Sequence, residues 1–392
     1  RRIPLGDEVL GTAVVEDYDT ALAEIRAMGI RVAEDPTERV MTFGRGYSLD
    51  IAGLLQACAG IVTARGGRVL TDTALRELVT DGAAVRGARV RRADGTVLEI
   101  AGASVVLATG GFQGARDLLA RYMGPNADHL VLRSNPGSVG DGIRAAAEVG
   151  AGGTTAMSSF YGHLLPAPLQ RFEPADYLPL TQYHSSHSVL VNRDGLRFVD
   201  ESLGDEIANQ ALLAQPGAIG VLIFDASVRR THGQVAPFPG VDAVDRFAKA
   251  CEYGARWATA ATLGELADAV ASWGVDADAL RATLAAYAEA ADAKSPRAAG
   301  VEMPATPSVP ATALFHALQV QPSITFTFGG LPTSRLGEVL DHDRVPIRGL
   351  YAAGADVGGI SNRGYAGGLA PSYITGRWAG AAAASAAAEA RV

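Results

Sequence analysis

The feature that most narrows the choice of fold lies near the C-terminal end, in GLYAAGADVGGISNRGYAGGLAPSYITGRWAG, Gly349 to Gly380. Strand-forming residues Leu350 to Ala353 lead into a glycine-rich stretch, Gly354 to Gly368, and a helical run opens at Pro371. A strand, a glycine turn and a helix start in direct succession make a ligand-binding edge of an α/β layer. Glycines let backbone N–H groups come close to a ligand, and the first turn of a helix presents unpaired donors with a partial positive charge. The same spacing also suits a glycine turn that only packs tightly.

A second edge of this kind precedes it. Ser104 to Ala108 is almost wholly apolar and ends in Thr109-Gly110-Gly111, as a buried parallel strand would before a tight turn. Ala21, Leu22, Ile25 and Met28 recur at helical spacing in a run over 18–30 that stops at Gly29. A second helical run covers 48–65 and ends at Gly66-Gly67, followed by a short strand over 68–70 that leads into 73–79. Alternating segments 85–90 and 96–100 flank Asp94-Gly95, which predicts a small β-meander.

The middle of the chain changes character. A proline-rich entry, a hairpin around Asn192 to Gly195, a strand over 219–224 and alanine-rich helices read as an inserted domain over 166–310. One α/β domain, 1–165 and 311–392, then surrounds it.

Composition excludes several functions. A net charge of -8 leaves no basic face suited to a nucleic-acid backbone. No apolar run reaches the ~18–20 residues of a membrane span, since the alanine-rich tail is broken by Gly380, Ser385 and Glu389. Cys58 and Cys251 show no metal, haem or disulfide spacing. A reducing compartment suits them, and the cytoplasm is the expectation.

GLYAAG, the NRGYAGGL loop and GRWAG resemble the C-terminal signature of the fumarate reductase / succinate dehydrogenase flavoproteins. SVVLATGGF (104–112), GSVGDGI (137–143), SVLVNRDGLRFVDES (188–202) and TFTFGGL (325–331) resemble further blocks of that family, in its order and over nearly all of the chain. The resemblance implies an α/β fold: an FAD-binding Rossmann-like domain with an inserted α+β capping domain that closes over the flavin. The family's opening βαβ unit is not found, because no GxGxxG occurs in the chain. About a hundred residues would precede the helix at Tyr18 in the family, so the expectation is an N-terminally truncated flavoprotein with an incomplete Rossmann-like domain.

The resemblance also assigns residues. For FAD it implies Thr109, Gly110 and Gly111, then Gly140, Asp141 and Gly142, with Ala74 near the adenine and Gly354, Gly368 and Leu369 in the C-terminal signature. The family has a Glu after AAG to hold the ribityl chain; here Ala355 stands there and Asp356 follows. Dicarboxylate-reducing members clamp carboxylates with two His and two Arg, and an acid protonates the carbon beside the one that takes the hydride.

His163 falls on the first His of that set and Arg363 on the carboxylate-binding Arg. The proton-delivering Arg is replaced by His184, and the His of HxTxGG by Thr325, so the clamp is half present and a true fumarate reductase is not expected. His184 could move the proton if its surroundings keep it near neutral pKa, with Tyr183 and His187 as alternatives. Arg171 and Glu173 are candidates for the missing Arg/Glu relay. Tyr365 resembles the tyrosine of the SYAG loop in 3-ketosteroid dehydrogenases. The expected activity is hydride transfer between flavin N5 and an activated carbon-carbon bond of a small organic acid or enone. The alternatives are a 3-ketosteroid Δ1-dehydrogenase-like enzyme and a noncatalytic fragment. No haem or iron–sulfur ligands are written in the chain, so an external electron donor or acceptor is expected.

Overall fold

A computed structural model describes residues 6–38, 45–361, 363–365 and 367–389; Asn362 and Ala366 of the glycine-rich stretch lie outside the described residues. The chain forms two compact units, one from Arg1–Leu118, Asn135–Phe160 and Phe326–Val392, the other from Leu119–Ser134 and Tyr161–Thr325.

The first unit is built around the short parallel pair anticipated from the two glycine edges. Strand Val105–Leu107 pairs in parallel with strand Pro346–Ala352, in the register Leu350 to Val105 and Ala352 to Leu107. Strand Glu338–Leu340 adds to the other side of Pro346–Ala352 in antiparallel fashion. Leu350 and Ala352 are fully buried, as expected for a strand covered on both faces. The meander also forms, from Thr73–Thr80, Val85–Arg92 and Val97–Ala101, all antiparallel. At its second turn Gly95 takes a positive φ of 87°, and the Asp94 carboxylate accepts the N–H of Thr96 at 2.9 Å.

One local expectation is corrected, and one helix is added. Residues 68–70 form no strand: Gly67 donates back to the Val62 carbonyl at 2.9 Å, and Val69 and Leu70 then run exposed with no strand partner among the described residues. A helix that periodicity did not single out, Glu8–Glu16, is capped by Asp7, which accepts from Val9 and Leu10 N–H at 3.0 Å. Its Val14 packs with Ala21 of helix Tyr18–Ala27 and Ile374 of the final helix, Leu369–Glu389. Arg377 and the Trp378 indole N–H, at 2.5 and 2.9 Å, tie that final helix to Asp17.

The second unit is a mostly antiparallel sheet in the order Val189–Asn192, Gly220–Asp225, Phe315–Ile324, Trp257–Ala260. Period-two alternation sends Val189, Val191, Val221 and Ile223 to one face and Leu190, Leu222 and Phe224 to the other. Helices Leu263–Ala271 and Ala277–Asp292 cover the first face through Leu266, Val270, Leu280 and Leu284. Helices Asp205–Leu213 and Arg246–Glu252 cover the second through Leu212 and Phe247. The unit is wider than the 166–310 span read from composition. Strand Phe315–Ile324 pairs with Gly220–Asp225, Trp257–Ala260, Val131–Leu132 and Leu164–Pro166, which draws it into this sheet rather than the surrounding domain. No described helix is long and apolar enough to cross a membrane.

Candidate active site

In the first unit the two strand ends open into turns held together by one carboxylate. Asp356, fully buried, accepts the Thr109 N–H at 2.5 Å, the Gly111 N–H at 3.0 Å and the Thr109 hydroxyl at 2.9 Å. Burial raises its pKa, and the Thr109 and Gly111 N–H groups oppose the rise. The Thr109 hydroxyl in turn accepts the Gly142 N–H at 3.0 Å, and Gly140 N–H reaches the Gly111 carbonyl at 3.0 Å. The segments 109–111, 140–142 and 354–356 are therefore one connected structure. Gly354 N–H donates to Thr375 Oγ1 at 2.9 Å, which brings the first turns of the final helix to the same place.

The glycines here are needed for two different reasons. Gly110, Gly111, Gly140 and Gly354 have φ of 95°, 82°, 79° and 64°, in the left-handed region that side chains disfavour. Gly142 is helical, but a Cβ there would lie 2.7 Å from Thr109 Oγ1 and 2.9 Å from Asp356 Oδ2. At Gly111 a Cβ would come within 2.9 Å of Thr327 Oγ1, a buried hydroxyl with no partner. A side-chain-free rim, helix N-termini at Asp141 and Leu369 and an orphaned hydroxyl form a donor-rich cradle that fits FAD. Asp356 spends its oxygens on the Thr109–Gly111 backbone, so its visible role is to shape this cradle. Ala74 lies on the first meander strand, opposite Arg91.

Arg363 is exposed and has a φ of 64°, an unusual conformation for a residue with a side chain. Tyr365 lies edge-on to Phe326, ring centroids 6.1 Å apart, and its hydroxyl would stand 3.8 Å from a Cβ at Gly368.

The second unit gathers the histidines. His163 is 1% exposed, and both ring nitrogens are engaged: Nε2 with the Tyr161 hydroxyl at 2.7 Å, Nδ1 with Asp205 Oδ2 at 2.5 Å. Burial holds its pKa well below the ordinary value, the Arg133 charge adds to the fall, and Glu206 opposes it. Its backbone exchanges two hydrogen bonds with the Ser323 hydroxyl, at 3.0 and 2.7 Å. Gly162 makes this approach possible, because a Cβ there would stand 1.8 Å from the Ser323 carbonyl oxygen. Asn209 exchanges two more bonds with the Ser323 backbone, each 2.9 Å, fixing helix Asp205–Leu213 so that Asp205 meets the imidazole one turn earlier. Thr325, placed by sequence at a substrate-binding position, accepts from Arg133 Nη1 at 3.3 Å.

His184 does not have the near-neutral pKa that its expected role asked for. It is fully buried with neither ring nitrogen bonded, edge-on to Phe224 at 4.6 Å. Burial, then the Arg246 charge, pushes it down to about 3, so the ring is neutral at ordinary pH. Tyr183, also buried, is pushed up to about 12 by burial. His187 stacks on His232 at 3.7 Å. Arg171 and Glu173, read as relay candidates, are exposed; Arg171 donates to the Tyr253 hydroxyl at 3.1 Å, and Glu173 caps the turn at Pro174–Asp176.

Tyr161, Arg133, Asp205 and Glu206 were not singled out by sequence. An acidic pair after a glycine reads as an ordinary solvated helix start, and only the packing against His163 sets it apart. Among the described residues no group of His, Cys, Asp and Glu could hold a metal ion.

Residues 35–369 match the FAD binding domain family. The NADH:fumarate oxidoreductase of Klebsiella pneumoniae (strain 342) is 32% identical over 369 residues, 92% of this chain and 37% of that protein. The NADH:acrylate oxidoreductase of Vibrio harveyi is 31% identical over 332 residues, 81% of this chain and 30% of that protein. The chain thus spans about a third of the length of these curated relatives. The crystal structure of 3-ketosteroid-Δ4-(5α)-dehydrogenase from Rhodococcus jostii RHA1 superposes with a TM-score of 0.71 at 22% identity, over 97% of this chain and 81% of that one, which is a likeness of fold. With the cradle of Thr109, Gly111, Gly142 and Asp356 in place, the chain belongs to the FAD-binding family of fumarate-reductase-type flavoproteins, and FAD is its cofactor.

Proposed function

We propose that this chain acts in the reduction of an activated carbon-carbon double bond in a small unsaturated organic acid that carries one carboxylate. When bound, FAD supplies the hydride from N5 of its reduced ring. Arg363 binds the carboxylate, and its positive charge draws electron density away from the double bond, so that the carbon taking the hydride becomes electrophilic. Tyr365 orients the substrate through its hydroxyl. A proton then goes to the neighbouring carbon. Reducing equivalents come from an electron donor outside the segments described.

The observation that carries this reading is Arg363 itself, held at a φ of 64° in the glycine-rich loop ahead of the final helix. Asp72, Ala218, Lys294, Ala299 and Arg344 also take a positive φ, so it is the place of Arg363 in this loop, more than its φ, that supports the assignment. One such cation suits a monocarboxylate. A dicarboxylate would call for the second clamp, and Thr325 and His184 occupy its positions. The relatives named for fumarate and acrylate bracket this choice.

The test is steady-state reduction of acrylate, fumarate and a 3-ketosteroid enone by the FAD-loaded chain, with a chemically reduced dye as donor. Arg363→Ala should raise KM for acrylate at least about tenfold, the loss of one charge-assisted contact. Unchanged acrylate kinetics in that variant would overturn the assignment. A 3-ketosteroid reading is favoured by one feature, the run of aromatic rings Phe328, Phe326 and Tyr365 at 5.6 and 6.1 Å; it predicts turnover of the enone that survives the loss of Arg363.

A further inference from the structure

One part of the second unit gathers cationic and proton-accepting groups without an acid to match them, in a chain whose net charge is -8. Arg246 is 1% exposed. Its Nη1 donates to the carbonyls of Gly233, Val235 and Val244 at 3.4, 2.8 and 3.4 Å, while its Nε has no partner. Among the described residues no carboxylate pairs with it. Its neighbour Asp245 gives its carboxylate instead to Arg229 at 2.7 Å, Gln234 at 2.8 Å and the Ala248 N–H at 3.1 Å. A buried charge without a counter-charge is costly, and three carbonyls on one nitrogen answer only part of it.

Two short turns bring imidazoles to the same place. Tyr183–His187 carries His184 and His187, and the π-helical turn Arg229–Gly233, a form that recurs at functional sites, carries His232. Gly233 joins both turns to Arg246: its carbonyl accepts from the guanidinium, and a Cβ on it would lie 4.0 Å from Cγ of His184. The guanidinium also stands 5.1 Å from the centre of the Tyr183 ring. His184 is fully buried with neither nitrogen bonded. His187 and His232 stack with centroids 3.7 Å apart and planes inclined by 12°; both are only half-buried, so the cluster opens to solvent on their side.

We propose that Arg246, His184, His187 and His232 form a binding site for a small oxyanion, a carboxylate or a phosphate, entered past the stacked pair. The site lies wholly within the second unit and rests on neither FAD nor the reaction proposed above. The guanidinium supplies a fixed charge and its unbonded Nε–H, and the imidazoles supply further N–H donors. The anion thereby provides an acceptor for donors, and a counter-charge for a cation, that the fold otherwise leaves unsatisfied.

The surroundings give this binding a pH dependence. The charged and titratable groups about the stacked pair are Tyr183 and His184 on the first turn, Arg229 and Arg230 on the second, Asp245 and Arg246 at the start of helix Arg246–Glu252, and His316 on the sheet. Asp245 is the one acid among these, and Arg229 holds it. Burial lowers the pKa of both His187 and His232, and the charge of His232 lowers His187 further. An anion favours the protonated rings, so binding takes up protons and tightens as the pH falls.

Calorimetric titration of the whole chain with sodium acetate and, separately, sodium phosphate tests this, with sodium chloride at matched ionic strength as the control. At least one oxyanion should bind saturably, and about threefold or more tightly near about pH 6 than near about pH 8. His232→Gln, at a half-buried position that the fold tolerates, should weaken binding about tenfold and remove most of the pH dependence. Arg246→Met should abolish binding; if that variant does not fold, Arg246→Lys, which keeps the charge but not the Nε–H, should bind more weakly than wild type. Tighter binding of acetate assigns a carboxylate ligand, and tighter binding of phosphate a phosphorylated one. No saturable binding of either, uptake that chloride equals, or an affinity unchanged in both His232→Gln and the Arg246 variant would overturn the site.

Discussion

Asp356 and Thr109 are 247 residues apart in sequence, and the carboxylate of the first receives both the N–H and the hydroxyl of the second, at 2.5 and 2.9 Å. Asp356→Ala would orphan the buried N–H groups of Thr109 and Gly111. The expected loss is about 2–6 kcal/mol of stability, at ~1–3 kcal/mol for each unsatisfied group. Urea unfolding of the apoprotein would measure it, and FAD retention on gel filtration should fall in parallel. Asp356→Asn, which keeps one acceptor oxygen, should lose less.

A methyl group at position 142 should weaken FAD binding. Its Cβ would sit 2.7 Å from Thr109 Oγ1, and crowding of that kind costs about 1–3 kcal/mol. Gly376→Ala is the natural control, because nothing lies within 4 Å of a Cβ there and it is inside the final helix. It should stabilise the chain by about 1 kcal/mol through helix propensity alone and leave FAD affinity unchanged in a flavin fluorescence titration.

These two positions show what could be read ahead of the structure. The strand Ser104–Ala108 with its glycine turn and the strand ending at Ala353 each carry their meaning within ten residues, so a local reading found both. That they lie side by side in parallel register could not be read locally. The Asp205–His163 contact was hidden for the same reason. It depends on Gly162 letting one chain come close to Ser323, a relation between segments 160 residues apart. His184 went astray in the opposite direction: its place beside a recognisable block suggested an acid, and only its surroundings, Phe224 and Arg246 without a hydrogen-bond partner, deny it a near-neutral pKa.

His184 gives a direct prediction. An imidazole with both nitrogens buried and unbonded is costly, so His184→Leu should stabilise the chain by about 1–2 kcal/mol and leave kcat near that of wild type. If kcat instead falls by ~100-fold or more, His184 is the acid after all. Thermal unfolding and steady-state kinetics on the same preparation decide it.

Stability should fall on both sides of a broad maximum that lies on the acid side of neutrality, between the unfolded carboxylate and imidazole values. The unfolded chain ionises Asp205 and Glu206 at ordinary carboxylate values, whereas burial raises both in the fold; their contribution is complete at low pH and is lost as the pH rises through those raised values. His163 and His184 are depressed from 6.5 by burial, so the unfolded chain binds their protons first and stability drops as the pH falls below that value. The Tm plotted against pH should form a dome. Glu206→Gln should lessen the fall between its unfolded value and about 8 and leave the profile below the carboxylate range as it was; a flat wild-type profile would contradict the burial of these groups.

The pairing of Val105–Leu107 with Pro346–Ala352 also sets a timetable for synthesis. As the ribosome delivers the chain, the sheet of the second unit has all its strands once Ile324 has emerged, and domains tend to fold as soon as their chain is available. The first unit must wait with an open strand edge until Ala352 arrives, and until Asp356 follows there is no carboxylate to set the Thr109 turn. Flavin uptake therefore waits until the chain has been delivered past Asp356. A nascent chain whose last emerged residue lies between Ile324 and Leu350 would carry a folded insert and an unclosed cradle, and in that interval the exposed edge of Val105–Leu107 is the segment most open to pairing with a neighbouring chain.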